Sequence, residues 1–126
     1  MWSDAWIGLP YAKLGRGPAA YDCLGLFLAL ERARQGRDLP DPACRPAEAL
    51  RRRVVERARP LWRRVAVAEE GDALLFRSAG RALHVAYALD DRDMLHTEAR
   101  LGASAIEPWR RTGWLARLEG IYRYAG

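Results

Sequence analysis

The chain has 126 residues, of which 50% are hydrophobic and 29% charged, and its formal net charge is +5. This composition excludes a disordered or fibrous protein, and the length predicts a single globular domain over residues 1–126. Two cysteines are too few for a disulfide framework, so Cys44 is interpreted as an incidental thiol, with a Cys23–Cys44 bridge as the less favoured alternative. The basic charge favours an anionic partner, such as bacterial cell wall, nucleic acid or an acidic protein.

The beginning of the chain does not resemble a signal peptide. The stretch MWSDAWIGLPY has no positively charged segment followed by an apolar one. The longest apolar run, CLGLFLAL, is far too short to span a bilayer. We therefore expect a protein with no signal peptide and no membrane partner.

The first half of the chain predicts helices and loops. Residues 2–9 predict a short helix, and a Gly- and Pro-punctuated loop follows it. A second helix is predicted from Asp22 to Gln35, with Gly36 as its terminator. Apolar residues surround its first turns, which indicates a buried helix. After a Pro-rich linker, a further helix is predicted over residues 47–58.

After Pro60 the pattern changes to an alternation of apolar and polar residues, which predicts strands. Turn signals separate several of these segments, which are WRRVAV, DALLFR, ALHVAYAL, DMLHTEA, SAIEPW and EGIYRYA. Helices followed by strands predict an α+β fold. We expect N-terminal helices packed on an antiparallel sheet of about five to six strands.

Cys23 stands at the junction between the loop and the predicted buried helix. Backbone N–H groups at the start of a helix lack partners within the helix and carry partial positive charge. That field favours the thiolate, which is the nucleophilic form of cysteine. The same N–H groups can stabilise the oxyanion that forms when a cysteine attacks a carbonyl. Cys23 is therefore a candidate nucleophile, and Gly25 allows a neighbouring strand or a substrate to approach the first turn closely.

The chain has two histidines, His84 and His96, and both lie in the strand region. Strand alternation places His84 on the face opposite Val85 and Tyr87. His96 follows in the next strand, so a hairpin would bring the two imidazoles to the same face. A lone strand histidine is more often structural. A pair on adjacent strands favours a site in which one imidazole is the base and a third polar group orients its ring.

The order of these motifs resembles the NlpC/P60 family of papain-like cysteine peptidases. The matching stretches cover nearly the whole chain and are IGLPYAKLGRGP, YDCLGLFLAL, GDALLFR, LHVAYALDDRDMLHTE and LEGIYRY. The resemblance implies a papain-like fold with Cys23 as nucleophile, His84 as base and His96 as the residue that orients the base. It also implies that Tyr11 contributes to the oxyanion site or to substrate binding, and that Asp22 receives the free amine of a peptide substrate.

Four residues depart from the family pattern. Leu24 stands where the family often has serine, and Ala86 where it often has glycine. Arg81 and Leu83 are unlike the small polar residues often found before the base. These departures leave the implied triad intact and concern the shape of the substrate subsites.

The resemblance implies a cysteine endopeptidase that cleaves peptidoglycan stem peptides between D-glutamate and the diamino acid, with no metal and no cofactor. The short form, with its opening WIGLPY and closing aromatic strand, is similar to peptidases of phage tails and phage-derived gene-transfer particles. We therefore expect a tail component that aids wall passage and is synthesised in the bacterial cytoplasm. The expected partners are peptidoglycan peptides and phage-tail or baseplate proteins.

Two other functions stay open. The chain could be a structural tail-tip or baseplate adaptor with a weak or vestigial site. For either the enzyme or the adaptor, the candidate contacts with a tail protein are Trp2, Trp6 and the region around Trp109 and Trp114, although core packing is the commoner role for each. Nucleic-acid binding through the Arg-rich segment 48–59 is the weaker alternative, because such charge runs are usually solvated faces. No recognition motif accompanies the arginines, so no nucleic-acid partner is expected.

Overall fold

The computed structural model describes residues 1–41, 61–78 and 82–126. A 3-10 helix at Trp2–Trp6 comes first, followed by helix α1 at Cys23–Gln35 and, late in the chain, the one-turn helix α2 at Thr112–Leu115. The described residues include six strands, which are β1 (Trp62–Val65), β2 (Ala73–Ser78), β3 (Ala82–Ala88), β4 (Asp93–His96), β5 (Ala105–Pro108) and β6 (Leu118–Tyr124). The six predicted strands are therefore confirmed, with small differences at their ends. The helix predicted over residues 47–58 and Cys44 lie outside the described residues.

Helix α1 has the predicted limits because both of its caps are local. The carboxylate of Asp22 accepts a hydrogen bond of 2.7 Å from the backbone N–H of Gly25 and so caps the first turn. At the other end Gly36 has a φ of 69°, the left-handed conformation that glycine adopts readily after a helix. Among the described helices, none is long and apolar enough to cross a membrane.

Two short elements differ from the expectation. The first helix is a 3-10 helix of five residues, shorter than predicted, because Ile7 is extended and Gly8 has a φ of 82°. Helix α2 was not predicted. It has four residues, includes Gly113 and has no side-chain cap, so the sequence carries no helix signal there.

The strands form one antiparallel sheet in the order β1-β6-β2-β3-β4-β5. The hairpin of β2 and β3 pairs Phe76 with His84. Strand β4 lies between β3 and β5, and it pairs His96 with Ala105 and Met94 with Glu107. The two strands that carry the histidines are therefore neighbours.

Alternate residues of β3 face two separate apolar cores. Val85 and Tyr87 belong to the core that α1 completes, together with Leu26, Phe27, Leu30 and Leu95. Ala86 and Ala88 belong to the second core, together with Phe76, Met94, Trp109 and Trp114. The predicted alternation along this strand is confirmed.

The loop at Gly15 lies directly against the first turn of α1. A Cβ built on Gly25 would stand 2.0 Å from the carbonyl oxygen of Gly15. The backbone N–H of Asp22 donates a hydrogen bond of 3.1 Å to the same oxygen. The neighbour that requires glycine at position 25 is therefore this loop.

Replacing Gly25 with alanine is expected to destabilise the fold. The added Cβ would overlap a backbone atom, and overpacking of this kind costs about 1–3 kcal/mol. Urea unfolding of Gly25→Ala should therefore show a lower midpoint than the wild type. Gly113→Ala is the matched control, since a Cβ there meets nothing within 4 Å. Equal midpoints for the two variants would contradict the close packing of the loop on α1.

Candidate active site

His84 and His96 are in direct contact. Nε2 of His84, on β3, lies 2.8 Å from Nδ1 of His96, on β4. Both residues are buried, with 6% of His84 and 1% of His96 exposed. The prediction that neighbouring strands bring the two imidazoles to one face is confirmed.

Trp114 holds both imidazoles in place. Its ring stacks on His84 with centroids 5.3 Å apart and an interplanar angle of 28°. It also meets His96 edge-on at 5.1 Å and Phe76 at 5.0 Å. Sequence reasoning gave Trp114 no place in the site, because α2 carries no helix signal. Since Trp109 and Trp114 are buried, core packing accounts for both side chains.

Burial keeps both imidazoles neutral. Desolvation lowers the pKa of His84 to about 3; the positive charge of Arg117 acts in the same direction, as would a proton on His96. Desolvation also lowers the pKa of His96, against the opposing effect of a hydrogen bond to Glu107. At neutral pH each ring therefore has one protonated nitrogen and one lone pair, the form in which an imidazole accepts a proton.

The free energy of unfolding should depend on pH through the protonation of His84. An unfolded chain protonates this ring near the ordinary pKa of 6.5, whereas the folded protein protonates it near 3. Between these values the unfolded state binds more protons, so acidification lowers stability by up to about 1.4 kcal/mol per pH unit. Glu31 opposes this trend, because burial raises the pKa of its carboxyl to about 7.

The comparison of wild type with His84→Gln separates the two effects. Urea unfolding at pH 7, 6, 5 and 4 should show that the variant loses less stability on acidification than the wild type, while the contribution of Glu31 is common to both. Parallel pH dependences would contradict a buried neutral imidazole at His84.

Cys23 is the first residue of α1, at the helix start that the sequence predicts, and it is half-buried. It packs against the core that includes Val85 and Tyr87 of β3. Helix α1 as a whole packs on β3 and β4, the two strands that carry the imidazoles. The positive end of α1 therefore lies at the thiol, where it favours the thiolate.

Asp22 is buried and already engaged. Its Oδ1 accepts hydrogen bonds of 2.7 Å from the Gly25 N–H and 2.7 Å from Nη1 of Arg16. Arg16 also binds Asp41 with distances of 2.5 and 3.1 Å. A substrate amine at Asp22 would therefore share the carboxylate with this guanidinium or replace it. The sequence reasoning missed Arg16, whose signal was a lone arginine in the glycine-rich loop just before the cysteine.

Tyr11 lies beside the segment that leads into α1. It forms a parallel bridge with Tyr21, two residues before Cys23. Its backbone N–H donates to the carbonyl of Gly102 at 3.0 Å, and Ala12 donates to Tyr21 at 3.1 Å. The structure thus brings the backbone of this predicted site residue to the start of α1.

Glu107 is a further site residue that sequence reasoning missed. Its Oε2 lies 2.5 Å from Nε2 of His96, and its side chain is 33% exposed. The signal was a carboxylate in a strand beside a histidine strand, but the register that joins them depends on tertiary pairing. In the described part of the chain, no group of three or more His, Cys, Asp or Glu side chains is arranged to hold a metal ion.

Comparisons with known proteins agree with this architecture. A family model described as the NlpC/P60 family matches residues 8–123. Similar solved structures include an NLP/P60 family protein from Staphylococcus aureus, described as similar to a lipoprotein (22% identity, 97% of this chain and 38% of that chain, TM-score 0.71). Another is an NlpC/P60 family protein from Bacillus cereus (22% identity, 98% of this chain and 38% of that chain, TM-score 0.68). A third is the NlpC/p60 domain of peptidoglycan hydrolase SagA (22% identity, 96% of this chain and 92% of that chain, TM-score 0.63).

The chain therefore spans 38% of the length of the first two of these proteins. A search among curated proteins finds no match. The structural neighbours share the arrangement of a helix on a six-stranded antiparallel sheet, which confirms the predicted α+β fold.

Proposed function

Because the chain belongs to the NlpC/P60 family, we propose that it is a cysteine peptidase that hydrolyses peptides of bacterial peptidoglycan. The observation that carries this proposal is the buried contact between His84 and His96, on the strands against which α1 packs. Cys23 begins that helix, in the position where a thiol is most readily activated. The similarity to a domain of peptidoglycan hydrolase SagA supports wall peptides as the substrate class.

The proposed reaction begins when Nδ1 of His84 accepts the thiol proton of Cys23. The sulfur then attacks the peptide carbonyl carbon, a C–S bond forms, and the carbonyl π electrons move to oxygen. Backbone N–H groups at the start of α1 stabilise this oxyanion. As the C=O bond reforms, the C–N bond breaks and the proton passes from His84 to the leaving amine, which leaves a thioester on Cys23.

Water completes the proposed cycle. His84 accepts a proton from the water while its oxygen attacks the thioester carbonyl. The C–S bond breaks, the acyl group leaves as a carboxylic acid, and the proton on His84 returns to the sulfur of Cys23. The net reaction adds one water across one peptide bond and uses neither metal nor cofactor.

The other predicted residues support this reaction in different ways. His96 orients the ring of His84 through their 2.8 Å contact. We assign Tyr11 to the oxyanion or to substrate binding, beside the entry to α1. For Asp22 we favour a structural role, because it caps α1 and pairs with Arg16. Binding of a substrate amine by Asp22 stays a proposal, in which the amine would compete with the positive charge of Arg16.

A more specific proposal concerns the peptide bond that is cleaved and the assembly in which the protein acts. We propose cleavage between D-glutamate and the diamino acid of the stem peptide, by a protein that tail-tip or baseplate proteins hold at the wall. The support is the opening WIGLPY, the closing aromatic strand and a net charge of +5, which favours an anionic wall. The adaptor function with a vestigial site is the alternative that the experiments must separate from this one.

Incubation of the purified protein with peptidoglycan fragments, followed by mass analysis, tests the proposal. We expect two new products whose masses add up to the substrate plus one water, with the break after D-glutamate. Cys23→Ala should yield none. Three results together would show that the adaptor function is correct. The folded wild type releases no product, and particles with Cys23→Ala deliver cargo across an intact wall as well as wild-type particles. Deletion of the whole domain, in contrast, blocks assembly of the particle.

A further inference from the structure

We propose that Glu107 is a positioning residue that sets the tautomers of both imidazoles and thereby makes Nδ1 of His84 the basic nitrogen. This inference rests on the proposed function and deepens it. Glu107 lies on β5, next to the strand of His96, and its Oε2 lies 2.5 Å from Nε2 of His96. The side chains therefore form a chain of two hydrogen bonds that runs from Glu107 through His96 to His84.

The direction of these two hydrogen bonds follows from the chemistry of Glu107, the carboxylate at which they begin. A carboxylate only accepts, so the proton between Glu107 and His96 belongs to Nε2 of His96. The neutral ring of His96 then has its lone pair on Nδ1 and accepts there. The nitrogen that faces it, Nε2 of His84, must be the donor. A neutral His84 with its proton on Nε2 has its lone pair on Nδ1, the nitrogen that the proposed reaction requires.

Removal of the carboxylate would release this constraint. His96 could then carry its proton on Nδ1 and donate to Nε2 of His84, which would move the proton of His84 to Nδ1. A ring in that tautomer cannot accept the thiol proton of Cys23 at Nδ1. An imidazole base loses most of its activity when its orienting carboxylate no longer fixes the tautomer.

Glu107 also supplies charge. When His84 accepts a proton, a buried positive charge appears in a site that disfavours it, as the lowered pKa of this ring indicates. The other charged neighbours are Arg117, which further disfavours protonation of His84, and Glu98, which favours protonation of His96. The carboxylate at the end of the chain offsets the new charge through His96.

The alternative is a structural role. Strand β5 lies at the edge of the sheet, where a charged side chain hinders pairing with another molecule. In that case substitution of Glu107 would change solubility or stability but neither the tautomers nor the turnover of folded protein.

Nuclear magnetic resonance of protein with ¹⁵N-labelled histidine tests the tautomers without any substrate. The chain has two histidines, so only two rings contribute, and His96→Asn assigns them. At pH 7 we expect the proton on Nε2 of both rings in the wild type, and a shift towards protonated Nδ1 in Glu107→Ala. A wild-type His84 with its proton on Nδ1, or unchanged tautomers in Glu107→Ala, would overturn the inference even if the peptidase proposal fails.

Kinetics with wall peptides give the second test. Glu107→Ala should lower kcat about 10- to 100-fold and leave KM within about twofold, because Glu107 is assigned to the base and not to the substrate. Glu107→Gln, which keeps an acceptor but not the charge, should retain more activity. Glu69→Gln is the control, since Glu69 is an exposed carboxylate in the turn before β2. Wild-type kcat in folded Glu107→Ala, or a loss fully explained by unfolded protein, would overturn the inference.

Discussion

Replacing Cys23 with alanine is expected to abolish measurable hydrolysis of wall peptides. The proposed reaction forms its covalent intermediate on this sulfur, and the side chain of alanine has no nucleophilic atom. Loss of a nucleophile costs at least about 10⁴-fold in kcat, since only binding and oxyanion stabilisation remain. The fold should persist, because Cys23 is a small half-buried side chain at the start of α1. Product release measured by mass analysis, with urea unfolding alongside, tests both parts.

Cys44→Ala is the matched control for this variant. It removes the other thiol of the chain and should keep wild-type turnover, since Cys44 is interpreted as incidental. Turnover that survives in Cys23→Ala, or that disappears in Cys44→Ala, would contradict the assignment of the nucleophile.

Replacing His84 with glutamine is expected to lower kcat about 10²- to 10⁴-fold, the range that a general base contributes. Glutamine fills part of the space beside Trp114 and can keep a hydrogen bond to His96, but it cannot take a proton from the thiol. KM should change little, because the ring of His84 is assigned to the chemistry and not to binding. Steady-state kinetics on wild-type and variant protein measure the changes in kcat and KM separately.

The same kinetic experiment on His96 variants should show a smaller loss of activity, whose size depends on the residue that replaces His96. His96→Ala leaves the base without its orienting partner, whereas the amide oxygen of His96→Asn can still accept from Nε2 of His84. We therefore expect activity in the order wild type, His96→Asn, His96→Ala, with His84→Gln lowest. Full activity in His96→Ala would show that the 2.8 Å contact does not orient the base.

Features with local causes could be predicted from the sequence. The limits of α1 depend on Asp22 and Gly36, which stand directly at its ends and cap it through nearby backbone groups. The strands depend on alternation, which is visible in each segment alone. The meeting of His84 and His96 follows because a short turn joins their strands, so that their pairing is itself local.

Features that depend on the register of the sheet or on contacts between elements could not be predicted. Glu107 reaches His96 only because β5 pairs with β4 in one particular register. Trp114 covers both imidazoles from a helix of four residues that has no sequence signal. Arg16 reaches Asp22 from a loop whose path the sequence does not specify. In each case the sequence does not show which distant segment of the chain lies next to the residue.

The alkylation rate of Cys23 shows directly whether Cys23 and His84 act as one unit. Folded wild-type protein is treated with iodoacetamide at pH 7, and peptide masses over time give separate rates for the two cysteines. We expect Cys23 to react faster than Cys44, because the start of α1 and the imidazole favour its thiolate. We also expect His84→Gln to slow Cys23 and leave Cys44 unchanged. Equal rates for both cysteines in the wild type, or a Cys23 rate that His84→Gln does not alter, would contradict this coupling of Cys23 to His84.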